Sequence, residues 1–162
     1  MPRSTQPTRR TAVRLRPYQV AAVEGVRSAV RRGTRRCLLV APTGSGKTTV
    51  ASELIRLAAL RDRRALFVAH RRELITQAYQ RLLDFGLPES NVGVIMASDP
   101  RRRPGARVQV ASIDTLRNRA NPRADLVIVD EASQMPVDQA TTLLPLIRRG
   151  FVETAPLPVL DD

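Results

Sequence analysis

Lys47 is the single lysine of the chain; the other 26 of its 27 Lys/Arg side chains are arginine. It closes the run Gly44-Ser45-Gly46-Lys47-Thr48. Arginine presents a wide planar fork, whereas lysine is a compact point charge on a slim stem. That difference decides chemistry in a tight turn wrapped around a triphosphate. There backbone N–H groups cradle the phosphates and an ammonium reaches the β and γ oxygens. The stretch from Ala41 to Thr48 matches the pattern G-x-x-x-x-G-K-[ST] except at its first position, which is alanine. Its flanks support the match. Cys37-Leu38-Leu39-Val40 predicts a buried strand, and Thr49 to Ile55 opens an apolar-periodic helix. The candidate anion-binding residues are Thr43, Gly44, Ser45, Gly46, Lys47, Thr48 and Thr49.

A triphosphate site needs a metal-binding carboxylate, and Asp130-Glu131 follows the uninterrupted apolar run Leu126-Val127-Ile128-Val129. Mg²⁺ takes hard oxygen ligands, typically one or two carboxylates completed by water and phosphate oxygens. Asp130 at the strand tip is the candidate to hold the metal through water, with Thr48 as a direct ligand. Glu131 is the candidate to polarise an attacking water, because phosphoryl transfer asks chiefly for positioning and charge stabilisation. The alternative is an acidic pair capping the next helix near Ser133.

The elements that must position these groups alternate in type. Pro17 fits a first helical turn, with Val20, Val23, Val26 and Val30 recurring at helical spacing up to Gly33. Arg64 to His70 predicts a second buried strand. Glu73 to Phe85 predicts a helix with Leu74, Ile75, Ala78, Leu82 and Phe85 on one side, stopped by Gly86. Short strands are expected at Asn91–Met96 and Val108–Ala111, a basic turn at Arg101–Gly105, a helical turn at Asp114–Arg119 and a helix over Val137–Arg149. Strands apolar on both faces, alternating with helices, predict an α/β fold with a parallel sheet covered on both sides. Ligands of such sheets lie beyond the carboxyl ends of the strands. The Lys47 loop, His70-Arg71-Arg72 and Asp130-Glu131 all fall there.

The charge of +12 is uneven: residues 1–36 carry ten arginines and one acid, and residues 124–162 carry two arginines and seven acids. A basic body of this kind implies a polyanionic partner, nucleic acid first. A GC-rich genome explains arginine over lysine, but not cations over anions. Aromatics at 3% argue against a platform for stacking bases. Cys37 is the single cysteine, which excludes an internal disulfide and suits a reducing compartment. No apolar run reaches the roughly 20 residues of a membrane span. Residues 1–13 are expected to be a disordered basic leader, with neither a secretory apolar stretch nor an amphipathic transit face.

Five stretches come in sequence: Leu15-Arg16-Pro17-Tyr18-Gln19, the loop to Thr48, Leu66 to Leu74, Val110 to Leu116, and Val129-Asp130-Glu131-Ala132. In that order they resemble the first RecA-like lobe of superfamily 2 DEAD/DEAH-box helicases, especially the type III restriction-subunit (ResIII) branch, where alanine at position 41 is ordinary. The resemblance implies a RecA-like P-loop NTPase, a three-layer sandwich over residues 14–150, with ATP and Mg²⁺ as cofactors. It implies that Gln19 reads the adenine edge and that Lys47, Asp130 and Glu131 serve catalysis, with Thr48 and Asp130 on the metal. It also places His70, Arg71, Arg72, Ser112 and Thr115 along a nucleic-acid backbone, DNA more than RNA.

The chain departs from that family at Ser133-Gln134, where histidine usually follows Asp-Glu-Ala; that ending is also similar to superfamily 1 helicases of the Upf1-like kind. Residues 151–162 read as a proline-rich, acidic, unstructured tail, with Thr154-Ala155-Pro156 as a worn form of the Ser/Thr-Ala-Thr motif in second place. No second lobe is expected within these residues; another chain is its expected source. The expectation is therefore a cytoplasmic, bacterial or phage, ATP- and nucleic-acid-binding lobe with weak turnover alone. A non-catalytic regulatory module or an inactive gene fragment are the alternatives.

Overall fold

The computed structural model describes residues 13–119 and 122–131, and residues 151–156 by their backbone. Helix α1 (Pro17–Arg31) precedes β1 (Arg36–Ala41), α2 (Lys47–Ala59), β2 (Ala65–Ala69) and α3 (Arg72–Asp84). A 3₁₀ turn at Glu89–Asn91 leads into β3 (Val92–Ile95), β4 (Val108–Ser112), α4 (Ile113–Arg117), β5 (Leu126–Val129) and β6 (Phe151–Pro156). The helix expected over Val137–Arg149, and the variant pair Ser133-Gln134, lie outside the described residues.

All six strands form one sheet in the order β1-β6-β5-β2-β4-β3, and every pairing is parallel. Phe67 of β2 faces one side with Ile128 and Val94, against Val23 of α1, Ile55 of α2, and Ile75 and Leu82 of α3. Leu66 and Val68, one residue out of phase, face the other with Val127 and Val129, against Ile113 and Leu116 of α4. Strands β2, β4 and β5 are thus buried on both faces, as their sequences predict; β1 is not the buried strand expected, because Leu38 and Val40 stay exposed on one face. Handedness accounts for the sorting. β1→β2 and β2→β3 step one way across the sheet and carry α2 and α3 on one face. β4→β5 steps back and carries α4 on the opposite face, because parallel crossovers are right-handed.

The valine stripe of α1 is only partly buried. Val23 and Val26 enter the core, while Val20 and Val30 stay exposed and Gln19 is buried in their place. Val20 lies about 100° around the helix from Gln19, beyond the edge of the packed face.

The segment after residue 150 corrects the expectation of an unstructured tail. Phe151–Pro156 is a strand inserted between β1 and β5, in register Ala41↔Pro156 on one side and Val129↔Glu153 on the other. Phe151-Val152-Glu153-Thr154 has the β-branched and aromatic content of a strand, which the prolines and acids of the whole window outweighed in the sequence reading. Pro156 is tolerated because it closes the strand.

Two arginines of the basic turn after β3, Arg101 and Arg103, are engaged internally, while Arg102 is exposed. The Arg101 carbonyl accepts the Val94 N–H at 3.0 Å, so this loop covers the edge of β3. The Arg101 guanidinium grips both oxygens of Asp99 at 2.9 and 2.7 Å and lies 4.9 Å over the Tyr79 ring, while Arg103 pairs with Glu89 at 2.8 Å. The Arg101 guanidinium holds the Asp99 carboxyl below its usual range; the Arg101 N–H and the charge of Arg72 add to this, and burial opposes it. A depressed folded value means stability present above the unfolded carboxyl range, about pH 4, and lost as pH falls through the folded value. Arg101→Ala should therefore cost about 1–3 kcal/mol at neutral pH and flatten the loss of stability in acid. Urea unfolding at pH 7 and pH 3 measures both, and a variant that tracks wild type at both would sink this account of the loop.

Candidate functional site

The parallel pairing brings the carboxyl ends of β1, β2, β4 and β5 to one edge. There the loop after Ala41, His70 after Ala69, Ser112, and Asp130 after Val129 share a rim. A cleft of about 670 Å³ opens on it, lined by Thr43, Gly44, Gly46, Lys47, Thr48, Thr49, Asp130 and Glu131. The polar side of α3, including Gln77, Gln80, Arg81 and Asp84, forms a further wall.

The loop between β1 and α2 turns on two glycines in the left-handed region, Gly44 at φ 77° and Gly46 at φ 82°. Only glycine reaches that region without a steric penalty. Gly46 caps α2, so Lys47, Thr48 and Thr49 form its first turn, where free N–H groups and the helix dipole favour an anion. The Lys47 ammonium donates to the carbonyls of Ala41 and Pro42 at 3.0 and 3.2 Å, folded against its own loop. Those carbonyls occupy the donor that phosphate oxygens would take. The Thr48 hydroxyl reaches Asp130 Oδ2 at 3.4 Å, across the width of β6.

The loop is braced from α1. The Tyr18 hydroxyl donates to the Ser45 carbonyl at 2.6 Å and Gln19 Nε2 donates to the same oxygen at 3.2 Å, while Gln19 Oε1 accepts the Arg16 N–H at 2.9 Å. Both ends of the Gln19 amide are engaged, so reading an adenine edge would require one of these bonds to be given up. Asp130 is buried, and its Oδ1 accepts the N–H of Glu131 at 3.1 Å. Glu131 holds a left-handed backbone at φ 53°, unusual for a non-glycine residue, and strain of this kind concentrates at functional sites.

The residues expected along a nucleic-acid backbone divide. Arg71 and Arg72 are exposed at the rim, Thr115 is half-buried and Ser112 is buried. His70 turns its ring towards the carboxylates, with Nε2 3.9 Å from Glu131 Oε2. The sequence reading missed Tyr18, although it lies in the same stretch as Gln19, and the α3 wall, because only the apolar side of that helix was read. It also missed the approach of His70 to Glu131, for which no local signal exists.

A glycine-turned loop carrying an ammonium, set against a buried carboxylate on a parallel sheet, is the arrangement of an ATPase-like P-loop domain of the helicase kind. Residues 12–144 match the family described as "Type III restriction enzyme, res subunit", ResIII, and the chain belongs to it. The chain is 31% identical over 157 residues to the "Putative ATP-dependent helicase IRC3" of Saccharomyces cerevisiae, covering 90% of this chain and 22% of that protein. Among solved structures it resembles the UvsW helicase from bacteriophage T4, with a TM-score of 0.72 and 18% identity over 88% of this chain and 52% of the other. It also resembles the Sulfolobus solfataricus SWI2/SNF2 ATPase core, solved in complex with dsDNA, with a TM-score of 0.70 and 16% identity over 89% of this chain and 32% of the other. The chain thus spans about a fifth of the yeast relative and half of the UvsW chain. At these identities the structural matches establish the RecA-like fold.

The brace on the loop is testable at Gly46. A Cβ there would collide with Gln19 Nε2 and sit in the left-handed region. Gly46→Ala should destabilise by about 1–2 kcal/mol, whereas Gly25→Ala, mid-helix with nothing within 4 Å, should stabilise by about 0.5–1 kcal/mol. Denaturant midpoints decide it; equal shifts of the same sign would contradict the geometry.

Proposed function

We propose that this chain is the ATP- and nucleic-acid-binding lobe of a superfamily 2 helicase or translocase. The meeting of Thr48 and Asp130 beside Lys47 in one cleft carries the reading. Lys47 leaves the Ala41 and Pro42 carbonyls for phosphate oxygens, and the first-turn N–H groups of α2 bind the rest of the triphosphate. Mg²⁺ would be held directly by the Thr48 hydroxyl and through water by Asp130, with phosphate oxygens and water completing its shell. It would supply charge neutralisation on the phosphates. Glu131 orients the attacking water and accepts its proton as the water oxygen bonds to the γ-phosphorus, while the bridging oxygen leaves with the β-phosphate as ADP.

DNA rather than RNA is the polyanion we favour, in keeping with the DNA complex of the SWI2/SNF2 core. Arg71 and Arg72 face outward at the rim, where guanidiniums hold phosphates without reading bases. The expected setting is cytoplasmic, in a bacterium or a phage-infected cell; no helix among the described residues is long and apolar enough to cross a membrane. Turnover by these 162 residues alone should be weak. Arg81 is the one guanidinium lining the cleft among the described residues, and a facing arginine is worth on the order of 10³–10⁵ in rate. A facing second lobe would supply it.

Wild type should bind a fluorescent ATP analogue, and Lys47→Ala should not, with an unchanged circular dichroism spectrum. Turnover of the isolated polypeptide should stay below about 1 s⁻¹. Equal analogue affinity in the two proteins would remove the nucleotide reading, and fast turnover would remove the need for a second lobe.

Nucleic-acid binding should be indifferent to sequence and fall steeply with salt, because it rests on counterion release. Replacing Arg71 and Arg72 together by alanine should reduce the slope of log K against log salt by about two. A base-selective or salt-insensitive interaction would show the rim to have another role.

A further inference from the structure

His70 is the only histidine in the chain, and it stands between the two halves of the proposed machinery. On one side the exposed Arg71 donates its Nε–H to His70 Nε2 at 3.1 Å. On the other, the same Nε2 lies 3.9 Å from Glu131 Oε2. Side-chain exposure is 21% for His70 and 29% for Glu131, so both are shielded from solvent without being sealed in the core. His70 Nδ1 and Glu131 Oε2 are buried with no hydrogen-bond partner among the described residues.

These contacts fix the proton on the ring. A nitrogen that accepts from Arg71 carries a lone pair, so the neutral imidazole bears its hydrogen on Nδ1. That leaves two mismatches. The Nδ1–H is a buried donor without an acceptor, a costly arrangement. Nε2 and Glu131 Oε2 face each other as two acceptors at 3.9 Å. The contact from Arg71 is what favours this tautomer; without it the other tautomer turns the facing acceptors into a donor–acceptor pair and leaves at Nδ1 a bare lone pair in place of an unmet N–H.

Resting on the proposed function above, we infer that His70 is a positioning residue that relays nucleic-acid engagement at Arg71 to the Glu131 carboxylate by exchanging tautomers. A backbone phosphate draws the Arg71 guanidinium away and frees the Nε2 lone pair. The ring releases its Nδ1 proton to water and takes one from water at Nε2, with no change in net charge. Nε2–H then donates to Glu131 Oε2, the gap closing to about 2.7–3.2 Å by side-chain rotation, as catalytic contacts commonly tighten from the free state. Glu131 is held in one orientation only while nucleic acid is bound.

A single histidine gives a single imidazole spin system, so long-range ¹H–¹⁵N spectra of the untagged, ¹⁵N-labelled chain report the tautomer directly. Wild type should carry its proton on Nδ1 when free and on Nε2 with saturating single-stranded oligothymidylate. Arg71→Ala should carry it on Nε2 without any oligonucleotide. An Nδ1-protonated ring in Arg71→Ala, or one unmoved at saturation in wild type, overturns the relay. Failure of the oligonucleotide to bind would instead count against the nucleic-acid reading, and the Arg71→Ala spectrum would still decide the relay. His70→Phe, which keeps a ring and loses both nitrogens, should leave ATP-analogue affinity unchanged. It should also cut the nucleic-acid-dependent gain in single-turnover hydrolysis by about fivefold or more; an undiminished gain also overturns the inference.

Discussion

The whole site depends on six strands running parallel with β6 between β1 and β5. Neighbouring strands lie about 4.8 Å apart, so the strand that launches the glycine loop and the strand that ends in Asp130 are separated by about twice that. The gap is bridged only at the carboxyl ends, where α2 begins and the Thr48 hydroxyl meets Asp130 at 3.4 Å. Had β5 paired directly with β1, the carboxylate would crowd the loop where the proposed triphosphate would lie. Because all strands point one way, crossovers return each chain segment to the opposite edge, and every functional group collects on one rim. The chemistry is a consequence of strand direction and order before it is a consequence of side chains.

Around that frame, three residues that face the cleft hold left-handed backbone, as Asp62 and Ser98 do in turns outside it. Gly44 and Gly46 accept the left-handed region at little cost; Glu131 accepts it as a carboxylate, between Asp130 and whatever follows. Strain of this kind, on the order of 1–3 kcal/mol per residue, persists only where packing over-determines the backbone. Here Asp130 is fixed by its N–H to Val68 at 2.9 Å and by its own carboxylate accepting the Glu131 N–H. The loop is fixed by Tyr18 and Gln19 converging on the Ser45 carbonyl. Helix α1 is thereby more than a cover for the core. It fastens the turn whose N–H groups must already be in place when an anion arrives.

What was legible in the sequence follows from how local each signal is. The glycine loop, the buried strands β2, β4 and β5, and the amphipathic α3 with its Gly86 stop are written in consecutive residues, and each appears where it was expected. The place of β6 was not legible. Its partners are chosen by pairings with β1 and β5, and its prolines and acids resemble a tail when read in isolation. Nor was the orientation of His70. It follows Ala69 at a strand end, where neighbours on either side of the rim compete for it, and Arg71 and Glu131 approach it from separate elements. The stripe Val20 to Val30 was legible in period but not in phase, since burying Gln19 turns Val20 out of the core.

The arginine content reads differently once its partners are known. Arg27, Arg56, Arg101, Arg103 and Arg107 each pair with a carboxylate, so part of the arginine content tethers the chain to itself, while the excess of +12 lies with the other cations. Exposed pairs of this sort contribute little to stability; they do remove charge from the field a polyanion would meet. Arg71 and Arg72 are different in kind. They are exposed, lie at the functional edge, and the first of them touches the histidine beside Glu131. A planar fork is suited to that post because it can hold a phosphate with one nitrogen set and release a ring nitrogen with another. Lys47 answers the opposite requirement. Its slim stem folds its ammonium back onto the Ala41 and Pro42 carbonyls of its own loop, where a guanidinium would have to splay the turn apart. The single lysine among 27 basic Lys/Arg side chains therefore marks the position where the shape of the cation, and not its charge, is constrained.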